Sequence, residues 1–217
     1  MKVLIIVPAY NEEKNVKSVI RKCLEYSKYV LAINDGSPDN TLKEIKKTKA
    51  ICLNNLVNRG KGYSLRRGFK YAIKNKFDIV VTLDADGQHP PSYIPKFINK
   101  IEKGYDVVIG TRVKRHSDMP YIRRASNFLL SALFSAFSRT WIRDTQSGYR
   151  AIRISVLKGL KLESDRYEAE SELLMKLGRR NVKFGRVIIP TIYGEEVSSI
   201  NPFEDTFRFL KVVKYRK

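Results

Sequence analysis

Ile79-Val80-Val81-Thr82-Leu83-Asp84-Ala85-Asp86-Gly87-Gln88-His89-Pro90-Pro91 changes character within one residue. Its first five positions form an apolar run without alternation, as expected of a strand covered on both faces. Polar residues begin at Asp84, and Pro90-Pro91 stops any continuation of the strand. Carboxylates at the C-terminal end of such a strand lie where open α/β sheets bind ligands. Asp84 and Asp86 are two apart, so a regular strand would aim both the same way, with Gln88 next in the alternation. Hard oxygen donors side by side suit Mg²⁺ or Mn²⁺, ions that share their remaining positions with phosphates and water. Asp-Gly is also a common turn pair, so a solvated surface turn is the competing reading.

Working outward, the first 112 residues repeat the same alternation of strand and helix. Val3 to Val7 reads as a strand ended by Pro8-Ala9-Tyr10-Asn11-Glu12-Glu13. Val16, Val19, Ile20, Cys23 and Leu24 then recur at helical spacing. Tyr29 to Ile33 is a second strand, running into the turn cluster Asn34 to Thr41 and a short helix with Leu42 and Ile45. Ala50 to Leu53 is a third. Asn58-Arg59-Gly60-Lys61-Gly62 opens a helix with Leu65, Phe69, Ala72 and Ile73 on one face. After the fourth strand, Pro91 to Lys103 reads as helix and Asp106 to Ile109 as a fifth strand, followed by Gly110-Thr111-Arg112. This pattern predicts an α/β fold with a mostly parallel central sheet and helices on both faces. Right-handed crossovers would bring Tyr10 to Glu12, Asp35 to Asp39 and Asp84 to Gln88 to one edge.

The second half reads differently. Residues 121–142 carry Arg123 and Arg124 in front, Arg139 and Arg143 behind, and the apolar stretch Phe128 to Phe137 between. That stretch is too short to span a bilayer and suits either a core helix or one lying partly on lipid. The loop Asp144 to Arg150 precedes a short strand over Ala151 to Ile154. Tyr167 to Leu177 reads as a helix whose early Glu168, Glu170 and Glu172 favour its dipole. Val182 to Ile189 is a last strand, and Phe203 to Tyr215 an amphipathic tail helix.

The 217 residues suffice for one α/β domain with a substantial core. Lys plus Arg number 42 against 22 Asp plus Glu, a net charge of +20 that calls for an anionic partner. Met1-Lys2 runs straight into a strand, so no signal peptide is expected, and no apolar run reaches transmembrane length. Cys23 and Cys52 look like reduced core residues. A cytoplasmic protein is the expectation.

In order along the chain, Pro8-Ala9-Tyr10-Asn11-Glu12, Asn34-Asp35-Gly36-Ser37, Asn58 to Gly62, Asp84 to Pro91, Gly110-Thr111-Arg112 and Asp144 to Gly148 match one set of motifs. The set resembles the family 2 inverting glycosyltransferases, and more narrowly the polyprenyl-phosphate sugar synthases of the dolichyl-phosphate mannose type. The resemblance spans essentially the whole chain. It implies a single nucleotide-diphospho-sugar transferase domain of GT-A type, residues 1–112 forming the nucleotide-sugar and metal half and 113–217 the acceptor half. It implies that Pro8, Tyr10, Glu12, Asp35, Lys61, Asp84, Ala85 and Asp86 meet the nucleotide sugar. Asp84, Asp86 and Gln88 would hold a divalent cation, Mg²⁺ or Mn²⁺, against its diphosphate. Arg112 and Arg123 would hold phosphates, with Arg124 and Asn127 beside them on the acceptor side. Asp86, Arg112, Arg123 and Asp144 would carry the catalysis.

The implied acceptor is a polyprenyl (dolichyl) phosphate, reached by peripheral contact at the cytoplasmic face of the membrane. Such a phosphate is already an anion, so direct in-line displacement with inversion is expected, without a general base or a covalent enzyme intermediate. With a sugar hydroxyl as acceptor instead, Asp144 could be the base; otherwise it would order arginine side chains. Gly194 to Ile200 carries Glu195 and Glu196 where a mannose-type synthase often has cations, which turns the donor from GDP-mannose towards UDP-glucose or UDP-N-acetylhexosamine. A nucleotidyltransferase is disfavoured by the Gln88 to Pro91 continuation. A nucleic-acid-binding module is disfavoured by basic residues spread along the whole chain, so no nucleic-acid partner is expected.

Overall fold

Leu4 and Ile6 pack on one face of a central sheet, and Ile5, Val7 and Ala9 on the other. A strand can bury both sets only if helices cover both faces. The computed structural model describes residues 1–112, 147–166, 168–180 and 182–190. Within these the strands are β1 (Val3–Ala9), β2 (Val30–Asn34), β3 (Ile51–Asn54), β4 (Ile79–Thr82), β5 (Val107–Arg112), β6 (Arg150–Arg153) and β7 (Phe184–Ile189). The helices are α1 (Val16–Leu24), α2 (Thr41–Lys46), α3 (Lys61–Lys74), α4 (Ile94–Glu102), α5 (Ile154–Leu157) and α6 (Glu168–Gly178). The described strands form one sheet in the order β3-β2-β1-β4-β6-β5-β7. All pairings are parallel except those of β6, which runs antiparallel to both β4 and β5.

One core lies between the sheet and α3, α5 and α6, built from residues such as Leu65, Phe69, Leu157, Leu173 and Leu177. The other lies beneath α1, α2 and α4, with Val16, Ile20, Ile45, Phe97 and Ile101. The carboxyl ends of the parallel strands share one edge. Because β6 is reversed, its first residue, Arg150, arrives at that edge too.

Four expectations are corrected. Pro8 and Ala9 do not end β1 but belong to it. The Ile5 N–H donates to the Tyr29 carbonyl on the β2 side, whereas the Ile6 carbonyl accepts from the Leu83 N–H on the β4 side. Pro8, two residues beyond Ile6, therefore turns its missing N–H towards β4, whose pairing has already stopped at Ile6. Gly110-Thr111-Arg112 is strand, paired to β7 as far as Arg112 and Ile189. The segment Pro91–Tyr93 is a 3-10 turn ahead of α4. Finally, β4 ends at Thr82, so strand alternation does not orient Asp84 and Asp86; a turn does.

Cys23 and Cys52 are free, and burial pushes the Cys23 thiol up to about 12, which makes it an inert core residue. The 121–142 stretch, the 194–200 loop and the 203–215 tail lie outside the described residues. So do Arg123, Arg124, Asn127, Asp144 and Gln146.

Candidate active site

Short polar contacts tie the first two loops of the carboxyl edge together. Thr41 Oγ1 accepts the Glu12 N–H at 2.8 Å, Ser37 Oγ accepts the Asn11 N–H at 3.1 Å, and Asp39 Oδ2 accepts the Glu13 N–H at 3.2 Å. Glu13 Oε2 returns the contact by accepting the Asn40 N–H at 2.9 Å. Asn11 takes a φ of 56°, a conformation that asparagine tolerates better than most residues. Tyr10 is left with 43% of its surface exposed on this rim, and Pro8 is buried beneath it.

Asp35 does something other than wait for a ligand. It is 3% exposed and accepts three hydrogen bonds from the chain. Its Oδ1 accepts from Asn55 Nδ2 at 2.5 Å and from the Arg59 N–H at 3.1 Å, and its Oδ2 accepts from the Gly60 N–H at 2.7 Å. These bonds shape the loop that leads into α3. Gly60 sits at a φ of 94°, and a Cβ there would be 2.5 Å from the Asp165 carbonyl oxygen, so the 164–166 segment closes directly over the helix start. Ala85 likewise turns its side chain into the core and can offer a ligand only its backbone.

The Asp84–His89 turn is fixed from behind. Gly87 adopts a φ of 79°, and Asp86 Oδ1 accepts the Gln88 N–H at 2.9 Å. The Asp84 N–H donates to His89 Nδ1 at 3.3 Å. Burial keeps the imidazole pKa below its ordinary value, so His89 serves as a neutral acceptor. Its ring lies 5.4 Å from Tyr149, which stacks on Phe97 at 4.3 Å and donates from its hydroxyl to the Pro90 carbonyl at 3.2 Å.

The two aspartates have different surroundings. Lys61 Nζ stands 2.5 Å from Asp84 Oδ1. Burial opposes the Asp84 charge, but the ammonium outweighs it and holds the carboxyl down at about 2. Burial likewise opposes the Lys61 charge, yet Asp84 and Glu170 raise its pKa overall. Asp86 is half-buried and forms no ion pair among the described residues. Burial and the neighbouring Asp84 raise its pKa. A carboxylate crowded by another and lacking its own cation fits an external hard cation. Among the described residues no group of three His, Cys, Asp or Glu side chains could hold a metal unaided. An ion held at Asp84, Asp86 and Gln88 would need phosphate oxygens or water to complete its shell. Arg112, at the end of β5, is near enough for its charge to act on His89.

Sequence reading gave no site role to Glu170 or Arg150, and placed Gly148 only as the end of the Asp144 to Gly148 motif. Glu170 Oε1 is 2.9 Å from Lys61 Nζ. Arg150, 1% exposed, donates from Nη1 to the Glu170 carbonyl at 3.2 Å. Gly148 gives β6 room to approach, since a Cβ there would lie 2.7 Å from Asp84 Oδ2. The available signal was an arginine opening an apolar strand, in phase with Ile152 and hence on the α3 and α6 side.

A family model described as glycosyl transferase family 2 matches residues 4–160. The UDP-N-acetylglucosamine–dolichyl-phosphate N-acetylglucosaminyltransferase of Methanococcus voltae is 35% identical, over 89% of this chain and 86% of its own. The dolichyl-phosphate hexose transferase of Haloferax volcanii is 29% identical, over 92% of this chain and 86% of its own. Among solved structures, glucosyl-3-phosphoglycerate synthase from Mycobacterium tuberculosis, in complex with Mn²⁺, UDP and phosphoglyceric acid, superposes with a TM-score of 0.76. It covers 98% of this chain and 76% of its own at 19% identity, a likeness of fold.

Proposed function

The chain belongs to glycosyl transferase family 2 and is a glycosyltransferase of GT-A fold, and from that premise we propose that it moves a hexose from a nucleotide sugar to a polyprenyl phosphate of the dolichyl type, with a divalent cation and with inversion. The observation that carries this reading is Asp86, a carboxylate pressed by Asp84 and without a cation among the described residues, at the carboxyl edge of the sheet.

Tyr10 offers an exposed ring face for the base, with Pro8 and Glu12 as the wall beside it. Asp35 acts indirectly by holding Arg59 and Gly60 in place. Asp84, fixed by Lys61, and the Ala85 backbone line the ribose and diphosphate. Of the expected Asp84, Asp86 and Gln88 set, Asp86 and Gln88 would hold the cation, since Lys61 already meets Asp84 Oδ1 at 2.5 Å; when bound it neutralises charge developing on the leaving nucleoside diphosphate. Two anionic substrates repel each other, and Arg112, with Arg123, Arg124 and Asn127, offsets that repulsion; arginine forks suit phosphate. The acceptor phosphate oxygen forms its bond to the sugar carbon as the diphosphate oxygen leaves from the opposite side. No proton has to be removed, so Asp144 orders arginines instead of acting as a base.

The relative from M. voltae and the acids Glu195 and Glu196 favour UDP-N-acetylglucosamine or UDP-glucose over GDP-mannose. A lipid acceptor requires contact with a membrane surface, which we assign to the cytoplasmic face and to the net charge of +20. Among the described residues no helix is long and apolar enough to cross a membrane.

The test is transfer of radiolabel from these three donors to short-chain dolichyl phosphate, with Mg²⁺ or Mn²⁺ and with chelator. Label should enter the lipid only with metal. Metal-dependent donor hydrolysis without lipid labelling would move the acceptor to a sugar hydroxyl and Asp144 to the base. Label transfer undiminished by chelator would sink the cation assignment.

A further inference from the structure

Glu170 reaches the edge of the sheet from α6, far along the chain from the motifs gathered there. Its carboxylate lies 2.9 Å from the Lys61 ammonium, which is itself 2.5 Å from Asp84. One cation from α3 thus joins a carboxylate of the first half of the chain to one of the second. Arg150 approaches Glu170 from the other side, with Nη2 3.9 Å from Oε2 and Nη1 on the backbone carbonyl. Arg150 and Glu170 are buried and Lys61 and Asp84 partly so, and charges withdrawn from water call for partners; here two cations match two carboxylates. Asp86 stands just outside this balanced set.

The arrangement is tightly packed. A Cβ at Gly148 would lie 2.7 Å from Asp84 Oδ2 and 2.9 Å from Lys61 Nζ, and one at Gly62 would run into the Ala169 Cβ. Backbone therefore closes on the Lys61–Asp84 pair and on the α3–α6 contact that delivers Glu170. A lysine alone is a poor orienting device, because its charge rides on a flexible four-carbon stem. A second carboxylate at its far side removes that freedom.

We propose that Glu170 is a positioning residue of the donor site: it anchors Lys61, which holds the Asp84 carboxylate in one orientation and leaves Asp86 to meet the donor diphosphate and its cation. This rests on the donor-site reading above. Glu170 touches no reacting atom in this scheme. Its effect passes through Lys61, and that dependence separates it from a residue that merely docks α6.

The experiment is a double-mutant cycle of Glu170→Gln and Lys61→Met in the full chain. Its readout is calorimetric affinity for UDP and for GDP with Mn²⁺, with unfolding midpoints measured alongside. Glu170→Gln is nearly isosteric and should weaken binding roughly 10- to 100-fold, the usual effect of losing a group that orients a ligand-binding side chain. Lys61→Met should do at least as much. The double variant should bind no more weakly than Lys61→Met alone, because its first loss already contains the second. Glu170→Asp keeps the charge and should recover part of the affinity. If Glu170→Gln does not fold, the cycle is built on Glu170→Asp with the same expectation. Multiplicative losses in the double variant overturn the proposal, as does wild-type affinity in Glu170→Gln. A wild-type chain that binds neither nucleotide overturns the donor-site reading and the proposal together, whereas binding with independent losses overturns the proposal alone.

Discussion

Replacing Asp86 by asparagine changes one charge and almost no volume, and its two consequences run in opposite directions. The Asp86 carboxylate is held against burial and against Asp84, both of which disfavour its charge. Asparagine keeps the oxygen that accepts the Gln88 N–H and drops the repulsion. Measured in chelator, the unfolding midpoint of Asp86→Asn should rise by a few degrees. Stabilising single changes contribute about 0.5–2 kcal/mol, and each kcal/mol moves the midpoint by about 2–4 °C at this size. Glycosyl transfer should fall at least about 100-fold, as when one group stabilising a developing charge is lost. A midpoint that drops with asparagine would make Asp86 structural. Asp84 and Asp86 were legible because their position needs only the end of one strand and a proline. Asp35 could be placed at the candidate site from the sequence but its contacts could not, since its partners Asn55, Arg59 and Gly60 come from a loop that local sequence does not bring near. Arg150 and Glu170 were illegible for the same reason: a buried ion pair is a fact about two distant elements.

Helix α6 shows how one element divides such roles. Residues two apart on a helix point to different faces, so Glu170 and Glu172 cannot serve the same place, although the sequence shows only acids near a helix start. Glu172 faces the preceding loop. Its Oε1 accepts the Glu163 N–H at 3.0 Å and its Oε2 the Ser164 N–H at 2.9 Å, and Lys176 stands 2.6 Å away. Burial pushes its carboxyl up, but Lys176 and these N–H donors outweigh that and hold the pKa below its ordinary value. A depressed carboxyl contributes stability that is present above the unfolded value, about 4.3, and is lost as pH falls through the folded one. Glu172→Gln should therefore cost about 1.5–3 kcal/mol at pH 7, the range for hydrogen bonds to a charged group. The gap to wild type should close below about pH 4 in urea unfolding. A gap unchanged across pH would assign the loss to packing instead. At this scale the sequence was otherwise a good guide. Among the described residues, continuous apolar runs and helical periodicity located the parallel strands and the longer helices, with ends displaced by one to three residues. What they could not reveal was pairing. That β6 runs backwards between β4 and β5, and that Pro8 faces a side where no ladder remains, are properties of neighbours.

For the whole molecule, the quantity that matters is a net charge of +20 on a chain whose proposed acceptor lives in a membrane. The Lys61–Asp84–Glu170–Arg150 set is internally neutral, so it does not account for the excess. Each basic residue near an anionic leaflet contributes about 1 kcal/mol, and a handful acting together would hold the chain at the surface. The attraction should be strongly salt-dependent, because the screening length shrinks from about 10 Å at 0.1 M salt to about 3 Å at 1 M. Sedimentation with phosphatidylglycerol vesicles should capture the chain at low salt and release it at high salt. Phosphatidylcholine vesicles separate the two ways of holding on. Charge alone predicts no capture by them, whereas insertion of the apolar stretch Phe128 to Phe137 predicts capture that salt leaves intact. The second result would make the acceptor half of the chain the anchor and leave the charge to steer the approach. A chain that stays in the supernatant with anionic vesicles at low salt would sink the peripheral contact and shift the excess charge to another anion, for which salt-sensitive binding to random duplex DNA is the next measurement.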